Sequence, residues 1–304
     1  MQKQLNKFTY KCRKSVSKKL LSLPLIYKVT KKLHRTYCTL TGFLHVLPDF
    51  YIIGTQKGGT SSLYGYMIDH PSIQPCYSKE PSYFDRYFDR GLDWYKVNFP
   101  FKIHRFIVTK ILQKKFITGE ASVRYLDHPH APQRIKQVTP HAKFIILLRN
   151  PITRAFSQHN MNLKNDYEYR NFEDALNHET ERIEGRLQKM EKDSGYYSWN
   201  YDLYGYKEHG IYVDKIKHWM EVFPKEQFLI IQSEEFLEDK SKTFEQVLEF
   251  LGLPKWEPDE FVLYKKRKYK ELMDPDLRRK LVDYFKPHNQ RLYEFLGRKF
   301  DWDE

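Results

Sequence analysis

A chain of 304 residues with 40% hydrophobic content has enough apolar material for one α/β domain with an appendage, which excludes a wholly disordered protein. Its formal charge of +13 is unevenly spread: residues 1–48 hold eleven Lys and Arg and no acid, while the other 256 carry 41 basic and 39 acidic side chains. No run approaches the roughly 20 apolar residues of a membrane-spanning helix. The three cysteines, Cys12, Cys38 and Cys76, have no metal-ligand spacing and suggest neither a disulfide framework nor an oxidising compartment.

In chain order, residues 1–47 read as a basic arm, able to meet an anionic membrane surface or a polyanion by electrostatics. The following domain, 48–304, opens with the apolar run Phe50–Ile53, read as a buried strand that ends in a Gly-rich turn and a helix from Ser61 to Met67. Further strands are expected at Phe116–Gly119, Lys143–Leu148 and Gln227–Ile231. The second of these has the continuous apolar character of a central parallel strand. A helix is expected to open at Pro151, others to cover Tyr212–Phe223 and Thr243–Leu251, and another to cover Pro275–Leu296 with a break near Pro287. Strands alternating with helices predict an α/β fold: a P-loop-like open parallel sheet with helices on both faces. The segment from about Lys164 to His209 is charged and then aromatic, with Tyr196, Tyr197, Trp199, Tyr201, Tyr204 and Tyr206. It is either an acceptor platform or a patch of core under a long loop.

The strongest chemical signal is Gly54-Thr55-Gln56-Lys57-Gly58-Gly59-Thr60-Ser61-Ser62, set between a strand and a helix. Adjacent glycines let backbone N–H groups approach a phosphate, and the helix start adds orphan donors and a positive dipole end. The spacing departs from that of nucleoside triphosphatases, because Thr60 stands where their lysine would be and Lys57 lies inside the loop. Arg149 follows the strand that would supply a metal-binding Asp, a pattern suited to a phosphate held by protein charge without a metal.

With these residues the chain resembles the PAPS-dependent sulfotransferases, in particular the branch of heparan sulfate N- and 3-O-sulfotransferases, and among them a bacterial-type member. The resemblance runs from about Phe50 to Trp302. It is carried by the Gly54–Ser62 loop, Lys79-Glu-Pro-Ser-Tyr-Phe-Asp85, Gly91-Leu-Asp-Trp-Tyr95, Ile145-Ile-Leu-Leu-Arg-Asn-Pro151 with Arg154 and Ser157, and Phe250-Leu-Gly-Leu253. It implies sulfuryl transfer from 3′-phosphoadenosine 5′-phosphosulfate (PAPS) to a hydroxyl or amine, with carbohydrate as the acceptor class, leaving adenosine 3′,5′-bisphosphate (PAP). Lys57, Gly58, Gly59, Thr60, Ser61 and Ser62 would bind the phosphosulfate end, and Arg149 and Ser157 the 3′-phosphate. Glu80 would be the general base and Lys57 would stabilise charge on the leaving group. The basic run Lys266, Arg267, Lys268, Tyr269 and Lys270 would close over the cofactor.

The chain departs from the branch at Ala121, where its glycan enzymes carry a lysine that Arg124 could replace, and at Ser82, where the 3-O-sulfotransferases have a histidine. The C-terminal cysteine pair of secreted members is missing, and these departures favour a cytoplasmic relative, soluble or membrane-peripheral. No metal and no nucleic acid partner are expected. A nucleotide kinase and a non-catalytic nucleotide-binding domain tethered by its arm stand as the alternatives.

Overall fold

The structure, a computed structural model, describes residues 24–262 and 273–303. Five strands, β1 (Phe50–Gly54), β2 (Ile73–Pro75), β3 (Ile117–Glu120), β4 (Lys143–Leu148) and β5 (Phe228–Gln232), form one sheet in the order β2-β3-β1-β4-β5. Every pairing is parallel. The principal helices are α1 (Pro24–Thr41), α2 (Thr60–Met67), α3 (Ala131–Val138), α4 (Pro151–Lys164), α5 (Tyr212–Val222), α6 (Lys240–Leu251) and α7 (Pro275–Leu296).

The strands read as continuous apolar runs because both faces of the sheet are covered, and the period of two sorts their side chains. Tyr51, Ile53, Phe144, Ile146 and Leu148 point to one side, where Ile135 of α3, Trp219 of α5 and Leu292 of α7 complete a core. Phe50, Ile52, Ile145 and Leu147 point to the other, against Leu63 of α2 and Phe244 and Val247 of α6. Fully burying each such aliphatic or Phe side chain stabilises the fold by roughly 1.5–3 kcal/mol. β1 and β4, in the middle, are therefore the best anchored elements, and the chemistry sits on the loops that leave them.

Three features differ from the sequence reading. β2 is a three-residue edge strand, too short to leave a periodicity. The segment 164–209 folds into short helices, among them Phe172–Asn177, Arg186–Lys192 and Trp199–Tyr204. Helix α7 runs unbroken through Pro287. Proline removes one backbone donor, but Pro287 lies on the exposed side, where water can serve the freed carbonyl of Asp283, while Phe285 and Leu292 are buried on either side of it.

Ahead of β1, α1 leads into a short turn at Gly42–Leu44 whose backbone lies close against Asp93. His45 and Val46 are buried, with the His45 Nδ1 to Phe99 carbonyl distance 2.6 Å and Val46 N–H donating to the Pro100 carbonyl at 2.9 Å. Cys38 and Cys76 are buried and unbridged. No helix among the described residues is long and apolar enough to cross a membrane.

Candidate active site

The Gly54–Ser62 loop leaves the C-terminal end of β1 and is fastened from several sides. Thr55 N–H donates to the Leu147 carbonyl of β4 (2.8 Å) and Gly58 N–H to the Thr55 carbonyl (3.0 Å). The Ser233 hydroxyl, just after β5, donates to the Gly58 carbonyl (2.7 Å), and Arg149 donates through Nη1 to the Lys57 carbonyl (3.1 Å). Two glycines are required here. A Cβ on Gly58 would lie 2.7 Å from the Leu147 carbonyl oxygen, and Gly59, which caps α2, has φ +95°.

Because Gly59 has no side chain to cap the helix, the first-turn N–H groups of α2 at Thr60 and Ser61 are left for an external acceptor. Ser62 and Leu63 N–H groups are already taken by the Gly59 carbonyl. Orphan donors, a dipole's positive end, Lys57 and the hydroxyls of Thr60, Ser61 and Ser62 make a cradle with the chemistry of a phosphate or sulfate site.

Arg149 flanks this cradle on the β4 side. Helix α4 begins after Asn150, whose Oδ1 accepts from Ile152 and Thr153 N–H groups, with Pro151 at the first helical position. Arg149 is held by an Nε bond to Thr153 Oγ1 (3.0 Å), and its carbonyl accepts from the Tyr212 hydroxyl (2.7 Å). Ser157, buried, lies one turn beyond Thr153 and so on the same side of α4. Arg154, also in the quoted motif, is wholly buried and donates to Gln158 and to the Tyr206 carbonyl, so it braces the fold.

Glu80 reaches the cradle through a neighbour that the sequence reading gave no role. Lys79 Nζ donates to Ser61 Oγ at 3.2 Å and to Glu80 Oε1 at 2.6 Å, so one ammonium joins the start of α2 to the exposed Glu80 carboxylate. The turn carrying both is fixed to the end of β3. Ala121 N–H donates to the Lys79 carbonyl (2.9 Å), Ser82 N–H to Ser122 Oγ (3.1 Å) and Tyr83 N–H to the Tyr125 hydroxyl (2.9 Å).

Behind that turn lies Glu120, fully buried at the end of β3. Its carboxyl accepts from the hydroxyls of Tyr95 (2.5 Å), Tyr125 (3.1 Å) and Ser122. Burial pushes its pKa up to about 8, against the opposing pull of those three donors. Nearby Asp85 is raised to about 6, again chiefly by burial, and its Oδ2 has no partner.

Arg124 does not stand free to replace a lysine at Ala121. Its guanidinium is paired with Asp202 and Asp127, although Nη2 also donates to Gln56 Oε1 of the loop at 2.9 Å. Of the aromatic segment, Tyr201 and Tyr206 are core residues. Trp199 stays exposed, its ring 4.1 Å from the guanidinium carbon of Arg86, which also faces Tyr197 at 4.7 Å. Lys266, Arg267, Lys268, Tyr269 and Lys270 lie outside the described residues. Among the described residues no three His, Cys, Asp or Glu cluster as metal ligands would.

A phosphate-type cradle at the switch between β1 and β4 is the layout of the P-loop-like α/β class. More narrowly, residues 47–274 match the sulfotransferase domain, and the chain belongs to that family of enzymes. Human heparan sulfate glucosamine 3-O-sulfotransferase 3B1 is 26% identical over 84% of this chain, which spans 65% of that relative's length. The membrane-associated sulfotransferase kil1 of Dictyostelium discoideum is 26% identical over 91% of the chain and 71% of its own. A solved sulfotransferase from Alicyclobacillus acidocaldarius, 30% identical, superposes over 85% of this chain and all of its own with a TM-score of 0.65.

Proposed function

We propose that the protein transfers a sulfuryl group from PAPS to a hydroxyl or amine of a carbohydrate, without a metal and with Glu80 as general base. The observation that carries this reading is the Lys79 bridge, which sets a carboxylate beside the cradle and yet leaves it open to an acceptor. When bound, PAPS supplies the sulfuryl group and leaves as PAP. Lys57, Gly58, Gly59, Thr60, Ser61 and Ser62 hold its phosphosulfate end, Arg149 and Ser157 its 3′-phosphate, and the 266–270 run covers it.

Glu80 Oε2 takes the acceptor's proton, since Oε1 is occupied by Lys79. Lys57 and Lys79 supply positive charge on the two sides of the helix start, where negative charge develops. Lys79 thereby stands in for the lysine that Ala121 lacks. The carbohydrate class rests on the names of the relatives, and the exposed Trp199 beside Arg86 offers such an acceptor a ring face. Residues 1–47 serve as a basic arm toward an anionic surface, on the cytoplasmic side.

The test is incubation of the protein with sulfur-labelled PAPS and a panel of glycan acceptors, with no added metal. Label is expected in a glycan fraction with stoichiometric release of PAP. Phosphoryl transfer from ATP that needs Mg²⁺, with no label transfer from PAPS, would establish the kinase alternative instead.

A further inference from the structure

A ten-residue helical stretch, α-helical over Lys102–Phe106 and continued as a π-helix over Ile107–Ile111, carries its apolar stripe on the wrong side for a soluble protein. Ile103, Ile107 and Ile111 follow one another in steps of four, with Phe106 beside Ile107, and all face solvent, with Ile103 62% and Ile111 63% exposed. What holds the stretch to the body is mainly its polar side. Arg105 Nη2 pairs with Asp49 at 2.5 Å, its guanidinium and the His104 ring lie against Phe116 at 5.1 and 5.3 Å, and Val108 is the apolar side chain that packs against the core.

The stripe has a continuation. Phe101 pairs with His45, ring centroids 4.1 Å apart, and His45 in turn meets Tyr37 of α1. On α1 and the turn after it, Leu33, Tyr37, Leu40 and Leu44 again recur at helical spacing and again are exposed, while Cys38 faces inward. Two neighbouring helices thus turn outward the faces that a folded domain ordinarily hides.

Charge decides what covers them. Besides Arg105, which Asp49 pairs, residues 101–115 include Lys102, Lys110, Lys114 and Lys115 and no acid, and the arm adds eleven cations without an acid across residues 1–48. A second copy would bring the same positive face against this one and be repelled. A polyanionic glycan would satisfy the cations but leave projecting isoleucines in water. An anionic lipid surface satisfies both, with side chains inserted below the headgroups and lysines among them.

We propose that the Lys102–Ile111 helical stretch and the outer face of α1 together form a membrane-docking surface for anionic bilayers. The surface lies at the N-terminal ends of the strands, next to Asp49 before β1 and Phe116 before β3, whereas the candidate site follows their C-terminal ends. Docked this way, the protein keeps its catalytic mouth turned away from the lipid.

The test is flotation of the full chain with vesicles of equimolar phosphatidylcholine and phosphatidylglycerol, and with phosphatidylcholine alone. The protein is expected to float with the anionic vesicles only, and high salt to weaken this. Ile107→Glu with Ile111→Glu is expected to lower binding on the order of tenfold, since it removes apolar insertion and adds repulsion. Leu237→Glu, exposed beyond the C-terminal end of β5, should leave it unchanged. Matching circular dichroism and thermal unfolding would confirm that the variants fold.

Absence of flotation with anionic vesicles, or undiminished flotation of the double variant, overturns the proposal. So does a dimer in sedimentation equilibrium that the double variant dissolves, which would assign the face to a second copy. No sulfuryl transfer is read, so failure here leaves the proposed activity standing.

Discussion

Glu80→Gln is expected to lower sulfuryl transfer by about 10²- to 10⁴-fold, the usual range for loss of a positioned general base, with PAP affinity nearly unchanged. The substitution removes a proton acceptor and little else. Glu80 is exposed, and its described contact is the Lys79 ammonium, which the amide oxygen of glutamine can still accept from. Stability should hold, because an exposed ion pair of this kind contributes no more than about 1 kcal/mol. The check is transfer rate under saturating PAPS beside calorimetric PAP binding, for wild type and variant. A variant that keeps most of its transfer rate would move the base elsewhere, and Asp85, with an unpartnered buried oxygen five residues on, would be the first to try.

Glu120→Gln is expected to remove a large pH dependence of stability. The folded carboxyl titrates at about 8, against 4.5 for an ordinary glutamate. Between those values the native state keeps a proton that the unfolded chain releases, so stability falls as pH rises. The stabilisation is complete below about pH 4.5 and is lost once pH passes about 8, a difference on the order of 5 kcal/mol. Asp85, raised to about 6 for the same reason, adds a slope of its own at lower pH, so the comparison is read above about pH 7.

Glutamine stays neutral, accepts from Tyr95 and Tyr125, and can donate to Ser122, whose hydroxyl then turns. Denaturant unfolding across pH is the measurement. The variant's stability should be nearly flat from about pH 7 to pH 8, above the range in which Asp85 and His128 titrate, where the wild type still declines. Equal slopes would mean that Glu120 is not the titrating group. The same network holds the turn bearing Glu80, through Ser122 to Ser82 and Tyr125 to Tyr83. Glu120 is therefore a positioning residue, and a misplaced turn would lower kcat more than it raises KM.

Much of this was readable from residues alone, for stated reasons. β1 and β4 announce themselves because a strand covered on both faces must be apolar throughout, and Gly58 and Gly59 mark a turn that no side chain fits. Lys79 was hidden, since nothing in Lys-Glu-Pro distinguishes a bridging lysine from a solvated one until Ser61 is brought beside it. Glu120 was hidden too: its three hydroxyl donors come from residues 95, 122 and 125, and only the packing of β3 gathers them. The reverse happened with Arg124, which looked available and is paired with two aspartates. Burial sorted the aromatic segment, leaving Trp199 at the surface and drawing Tyr201 and Tyr206 inside.

The central claim, that the Lys57–Ser62 cradle and the Arg149 side of α4 hold a nucleotide by its 3′-phosphate, is tested most directly by calorimetric binding of PAP beside 5′-AMP and ADP. Binding in the micromolar range that needs the 3′-phosphate, and that weakens by about 10- to 100-fold in Arg149→Ala through loss of a charge-assisted contact, is the predicted result. Equal affinity for PAP and 5′-AMP, unchanged in Arg149→Ala, would contradict it.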